Sequence, residues 1–194
     1  MAATVPPAVP HPRASAEDVP EGAVGWYRTA LGWDAVAGPP VQLLTGAAFD
    51  VLELPLDAGA ALLARGPATG PAAAAGDRMR LLTAAGTADE LPSLLEWLDW
   101  SGVDLDLAAV GAGGRITAPP PPGQGAHGEH RWLRPPTAGH RTRLPALSGL
   151  GGRADAPDLV RLVAAAAAEC HRVRLLRAVR ARAGGTGVQP LAFS

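Results

Sequence analysis

Phe49-Asp50-Val51-Leu52-Glu53-Leu54-Pro55 is the stretch on which the fold turns. Residues 49–54 are apolar apart from two acids, which is the composition of a strand, and Pro55 stops it by removing a ladder donor. Strand side chains alternate between faces. Asp50 and Glu53, three apart, therefore point to opposite sides, while Leu52 and Leu54 share one.

Working outward, residues 41–44 form a second strand candidate across Thr45-Gly46. Before it, residues 21–31 read as a short helix with Val24, Tyr27 and Leu31 on one face, stopped by Gly32. Residues 33–37 are a short strand candidate ended by Gly38-Pro39-Pro40. Downstream, residues 58–65 read as a helix, 66–76 as a loop of Gly, Pro, Ala and Thr, and 79–83 as a strand. The clearest helix spans 89–100: Leu91, Leu94, Leu95 and Leu98 fall on one face, with Thr87 as the expected N-cap and Asp89 and Glu90 in the first turn. Residues 103–107 and 115–118 read as short strands around Gly111-Ala112-Gly113-Gly114, and 119–122 as a rigid Pro segment. Residues 123–153 read as loop. A long helix is expected from Asp155 to about Arg182, with the stripe Leu159, Leu162, Val163, Ala166, Cys170 and Val173, and an Arg-rich end stopped by Gly184-Gly185. No internal repeat is evident. The elements describe an α+β chain in three parts: a disordered Pro/Ala-rich lead-in over 1–20, a folded domain over 21–145, and a linker, Arg-rich helix and short tail over 146–194.

The 194 residues suit a single core, and with hydrophobic content of 47% but only 4% aromatics that core is built from Leu, Val and Ala with a few Trp. All 17 basic residues are Arg, and Lys and Asn are absent, which reports a GC-rich genome rather than selection for Arg. The formal net charge of -1 hides an asymmetry: residues 1–110 hold 5 Arg and 14 acids, residues 111–194 hold 12 Arg and 4 acids. Two readings stand, a nucleic-acid-facing basic half or two solvated faces that attract each other. The single Cys170 excludes an internal disulfide framework. No apolar run of about 18 residues exists to span a bilayer. The first residues carry neither the basic region nor the apolar stretch of a secretory signal, so a cytoplasmic location is expected.

Three stretches in order resemble the bifunctional DNA primase/polymerase (Prim-Pol) family. The helix ending in Leu31-Gly32-Trp33 is similar to the family's opening helix. Leu44-Thr45-Gly46 followed by Phe49 to Pro55 is similar to its Thr-Gly turn and the strand that ends in an Asp-x-Asp pair. Gly102-Val103-Asp104-Leu105-Asp106, then Gly113-Gly114-Arg115-Ile116-Thr117-Ala118-Pro119-Pro120, resembles the strand with the third acid, the Gly-rich turn and the Ala-Pro-Pro loop. Arg131-Trp132 follows where members often have an aromatic strand. The resemblance covers roughly residues 23–136. It implies an RRM-like primase-type mixed sheet with flanking helices, two divalent metals (magnesium or manganese), and nucleotide triphosphates on a DNA template.

The departures from that pattern shape the expected function. Two-metal transfer needs carboxylates converging from one face. Matched at Pro55, the Asp-x-Asp pair falls on Leu52 and Leu54. The family's phosphate-contacting His falls near Met79 and Arg80. Glu53, Asp104 and Asp106 are left as candidate catalytic acids, with Asp104 and Asp106 sharing a strand face either as a weak metal pair or as solvent-facing residues. Arg80, Arg115 and Arg131 are the candidate nucleotide and phosphate contacts. The chain is therefore expected to be a degenerate Prim-Pol-like domain that binds nucleic acid or nucleotide. The alternatives are a divergent active enzyme and a protein-interaction module docking through the Arg-rich helix.

The remaining motifs carry blander expectations. Cys170 and His171 diverge by about 100° around a helix, so Cys170 is read as a buried structural thiol. His127, Glu129 and His130 lie in a Gly-rich loop without a Cys partner, and Gly149 to Arg153 lacks the strand and Lys of a phosphate loop. The five Trp are read as packing residues.

Overall fold

The computed structural model describes residues 21–124, 129–138, 142–147 and 157–184. In chain order the elements are α1 (Glu21–Leu31), β1 (Ala35–Val36), β2 (Gln42–Leu44), β3 (Asp50–Pro55), α2 (Leu56–Arg65), β4 (Ala72–Ala75), β5 (Arg78–Thr83), α3 (Thr87–Trp97), β6 (Ala108–Val110), β7 (Arg115–Thr117), β8 (His130–Arg134) and α4 (Leu159–Gly184). They form a three-stranded sheet, β1-β2-β7, and a five-stranded sheet, β6-β3-β5-β4-β8.

The expected mixed sheet is corrected: every strand pair within the two sheets is antiparallel. The reason lies in the connections. β3 and β4 are joined through α2 and run parallel, but β5 inserts between them; β5 and β6 are joined through α3 with β3 between them. A β-α-β-β-α-β run wound in this way makes every neighbour antiparallel although each helix crossover joins parallel strands.

Alternation along β3 then sorts the core. Leu52 and Leu54 face the same side as Met79 and Leu81 of β5, against α2, α3 and α4. The α4 stripe foreseen from its spacing is the centre of this layer: Leu159, Leu162, Val163, Ala166, Cys170 and Val173 are all buried in it. α2 reaches the sheet closely because Gly59 lacks a side chain; a Cβ there would lie 2.7 Å from Met79 Cβ. On the opposite face, Val51 and Leu82 pack under α1 and the small sheet with Tyr27, Trp33, Leu43, Phe49 and Ile116. Tyr27 anchors this second layer by donating its hydroxyl to the Pro119 carbonyl at 2.6 Å.

Two strands lie where loops are expected. β4 is four alanines, all buried, inside the 66–76 stretch. Alanine has little intrinsic strand preference; here its small side chains fit a position flanked by β5 and β8 with layers on both faces. β8 lies inside 123–153 and closes the edge of the sheet against β4. Conversely, residues 103–107 form no strand; the chain is irregular until β6 at Ala108. Thr87 is not the N-cap of α3. Its hydroxyl meets Thr83 Oγ1 at 2.6 Å, and the cap is supplied from β3, where Asp50 Oδ2 accepts the Ala88 N–H at 2.9 Å. Asp50 is 1% exposed. α4 is capped by Asp158, whose Oδ1 accepts the Arg161 N–H at 3.2 Å. Asp155, His127 and Gly149 to Arg153 lie outside the described residues.

Candidate functional site

The face of the five-stranded sheet turned away from Leu52 and Leu54 carries a charged cluster. Glu53 faces it because it alternates with Leu52 and Leu54, and it sits directly opposite Arg80 in the β3–β5 register, with Pro55 opposite Arg78. Arg78 and Arg80, two apart on β5, share the same face and both reach Glu53. Arg80 Nε donates to Glu53 Oε2 at 2.9 Å, and Arg78 Nε to Oε1 at 3.3 Å. Arg78 also extends to the turn before β6, donating through Nη1 to Asp106 Oδ1 at 2.6 Å and through Nη2 to the Asp106 carbonyl at 3.1 Å. One guanidinium thus bridges two carboxylates, and one carboxylate bridges two guanidinia. Glu53, Arg78 and Arg80 have side chains only 18–22% exposed, so water screens these contacts weakly.

The cluster gathers Glu53, Arg80 and Asp106, as well as Arg78, which the sequence reading left without a role. The i, i+2 spacing with Arg80 was the signal for it. The shared strand face of Asp104 and Asp106 is corrected. Neither lies on a strand, and Asp106 has φ 54°, a left-handed conformation that breaks the two-residue alternation. Asp106 turns to Arg78, whereas Asp104 is exposed and offers its carbonyl to Arg174 Nη1 at 2.8 Å. Arg115 stands on β7 in the other sheet, and Arg131 is an exposed residue of the edge strand β8. Neither joins the cluster.

What the cluster can do follows from its donors. Both Glu53 oxygens are engaged by arginines, and so is Asp106 Oδ1. Among the described residues no group of three or more His, Cys, Asp or Glu is gathered as a metal ion would need. Arg80 Nη1 is buried without a hydrogen-bond partner among the described residues. A buried donor left unpaired costs about 1–3 kcal/mol, more when charged. His130 Nδ1, on the strand two over, is also buried without a partner among the described residues, and Trp132 of the same strand buries its indole Nε1. The indole N–H faces the Tyr27 hydroxyl, where it opposes the strong upward push that burial gives the Tyr27 pKa.

Two ion pairs join the acidic and basic halves of the chain. Arg177 of α4 meets Asp57 Oδ1 at 3.1 Å, and Arg65 meets Glu169 at 3.4 Å. Beyond them residues 174–183 are all exposed, including Leu175, Leu176 and Val179. Cys170 is buried against the sheet, and desolvation pushes its thiol from the ordinary 9.0 up to about 12. This is the inert structural cysteine that its place on the stripe foretold.

Among the described residues no helix is long and apolar enough to cross a membrane. Compared with protein-family models, curated proteins and solved structures, the chain matches none.

Proposed function

We propose that the chain is an RRM-like module of the Prim-Pol type that binds a nucleotide or nucleic-acid phosphate on the open face of its five-stranded sheet without transferring nucleotides. The observation that carries this reading is the state of Glu53 and Arg80. The acid best placed on the open face is neutralised by two arginines, while one of those arginines keeps a buried N–H without a partner. Two further points support it. The β-α-β-β-α-β winding with one helix-covered and one partly open face is the arrangement that RRM-type folds use. The positions matched to the Asp-x-Asp pair, Leu52 and Leu54, are packed beneath the helices, where a carboxylate has no access to substrate.

Calorimetric titration of a nucleoside triphosphate, with and without magnesium or manganese, tests the proposal. Binding that needs no metal, is weakened in Arg80→Gln and is kept in Asp104→Ala/Asp106→Ala is the expected result. Metal-dependent binding that the double variant loses would instead revive the divergent enzyme, with Asp104 and Asp106 as ligands.

A protein-interaction role for α4 is the second reading. It is favoured by Leu175, Leu176 and Val179, which lie 43–62% exposed among arginines on its outer half. Substituting all three by Ser while phosphate binding persists, and finding that a partner is lost, would separate this role from the first.

A further inference from the structure

A second, unrelated constellation lies at the far end of β4. Arg78 stands opposite Ala75, at one end of that strand, whereas Arg134 stands opposite Ala72, at the other. Here the segment entering β4, the segment leaving β8 and residues 142–143 border an open cleft of about 420 Å³. Cavities of this size hold small molecules.

Its lining is chemically one-sided. Arg134 and Arg143 bring two guanidinium groups, Thr69, Thr137 and Thr142 bring three hydroxyls, and no carboxylate is among the described residues that line it. Among the described residues its apolar share is Pro71 and Pro135. A cleft lined by charge of one sign concentrates counter-ions, and guanidinium with hydroxyl donors matches tetrahedral oxyanions.

Arg134 is also held in place. Thr69 is 9% exposed, and its hydroxyl donates to the Gly70 carbonyl at 3.0 Å. That fixes its lone pairs toward Arg134, whose Nη1 donates to Thr69 Oγ1 and to the Thr69 carbonyl. Nη2 and Nε of Arg134 have no protein partner among the described residues. An arginine anchored by one nitrogen and open at the others loses little freedom when an anion arrives. Gly70 seats the wall: a Cβ there would lie 3.0 Å from Pro145 Cδ, so the Thr69-Gly70-Pro71 turn can pack against residues 144–145.

We infer that this cavity is an anion site for the phosphate group of a small phosphorylated molecule, with Arg134 as the principal ligand-binding residue. The described part of the wall offers guanidinium and hydroxyl donors rather than a stacking surface, which suits a phosphate group rather than a nucleobase.

The test is calorimetric titration of inorganic phosphate, pyrophosphate and a short single-stranded oligonucleotide at low salt. The proteins are the wild type, Arg134→Gln, Arg134→Lys and Arg80→Gln. Saturable pyrophosphate binding is expected. Arg134→Gln should weaken it by about tenfold or more, and Arg134→Lys should restore part of it. Arg134 is exposed, and coincident melting curves check that the variants remain folded. No binding of either small anion, or equal binding to Arg134→Gln, overturns the assignment. Binding of the oligonucleotide alone, sensitive to Arg134, overturns the small-molecule version in favour of a nucleic-acid backbone. Loss of pyrophosphate binding in Arg80→Gln but not Arg134→Gln places the anion on the open face and overturns it equally.

Discussion

The two faces of the five-stranded sheet are built from the same strands by opposite rules. Beneath the helices, Leu52 and Leu54 of β3 lie beside Met79 and Leu81 of β5 in a continuous apolar layer. One residue along each strand the sides exchange, and Glu53, Arg78 and Arg80 form a connected charged row. The helix face admits a single charge on β3, Asp50, where the Ala88 N–H at the start of α3 meets it, whereas the open face holds three because each satisfies another. A one-residue shift along β3 therefore moves a side chain from the core to the candidate site.

The sharpest way to break this contrast is to write the missing acids into the chain. Leu52→Asp/Leu54→Asp should restore no nucleotidyl transfer; it should abolish cooperative folding, with a loss above about 4 kcal/mol, because it buries two unpaired carboxylates. Urea denaturation followed by circular dichroism reads the effect, and a folded variant would mean that Leu54 is not in the core. A smaller loss is expected from filling the space between helix and sheet. Gly59→Val drives a branched side chain into Met79 and should cost about 1–3 kcal/mol, part of it recovered in combination with Met79→Ala.

On the open face the effects shrink and change character. Glu53→Gln should cost about 1–2 kcal/mol by weakening two charge-assisted hydrogen bonds, and should strengthen anion binding at Arg80. If calorimetry shows triphosphate affinity falling instead, Glu53 is part of the ligand site rather than its mask. Smallest of all, Asp104→Asn should stay within about 0.5 kcal/mol, because among the described residues its side chain is exposed and its backbone carbonyl makes the contact to Arg174. Asp106→Asn should exceed it, since Asp106 pairs with Arg78 at 2.6 Å. Equal effects would erase the distinction between the two acids.

The legible part of this fold was the part carried by periodicity. The stripe of α4, the leucine face of α3, and β3 with its Pro55 boundary could be read because apolar spacing records which side is buried. β4 was not legible, because Ala72 to Ala75 has neither alternation nor strand preference and owes its conformation to the neighbours that flank it. The pairing of Asp104 with Asp106 failed for a local reason: alternation assumes extended backbone, and Asp106 departs from it at φ 54°. Of the candidate site, Glu53 and Arg80 were read as acid and phosphate contact. That they neutralise each other follows only from strand register, which brings residues 27 apart into direct opposition. Leu52 and Leu54 could have been recognised as core from the single-face rule alone.

Cys170 gives the molecule a built-in clock. The chain has one thiol, sealed between α4 and the sheet and held at about 12. At pH 8 such a group is ionised in only about one molecule in ten thousand. A disulfide reagent therefore modifies it chiefly when the helix lifts away and the thiol returns to its ordinary 9.0. The labelling rate counts those departures directly and measures how firmly the last helix is latched, separately from the stability of the sheet beneath it.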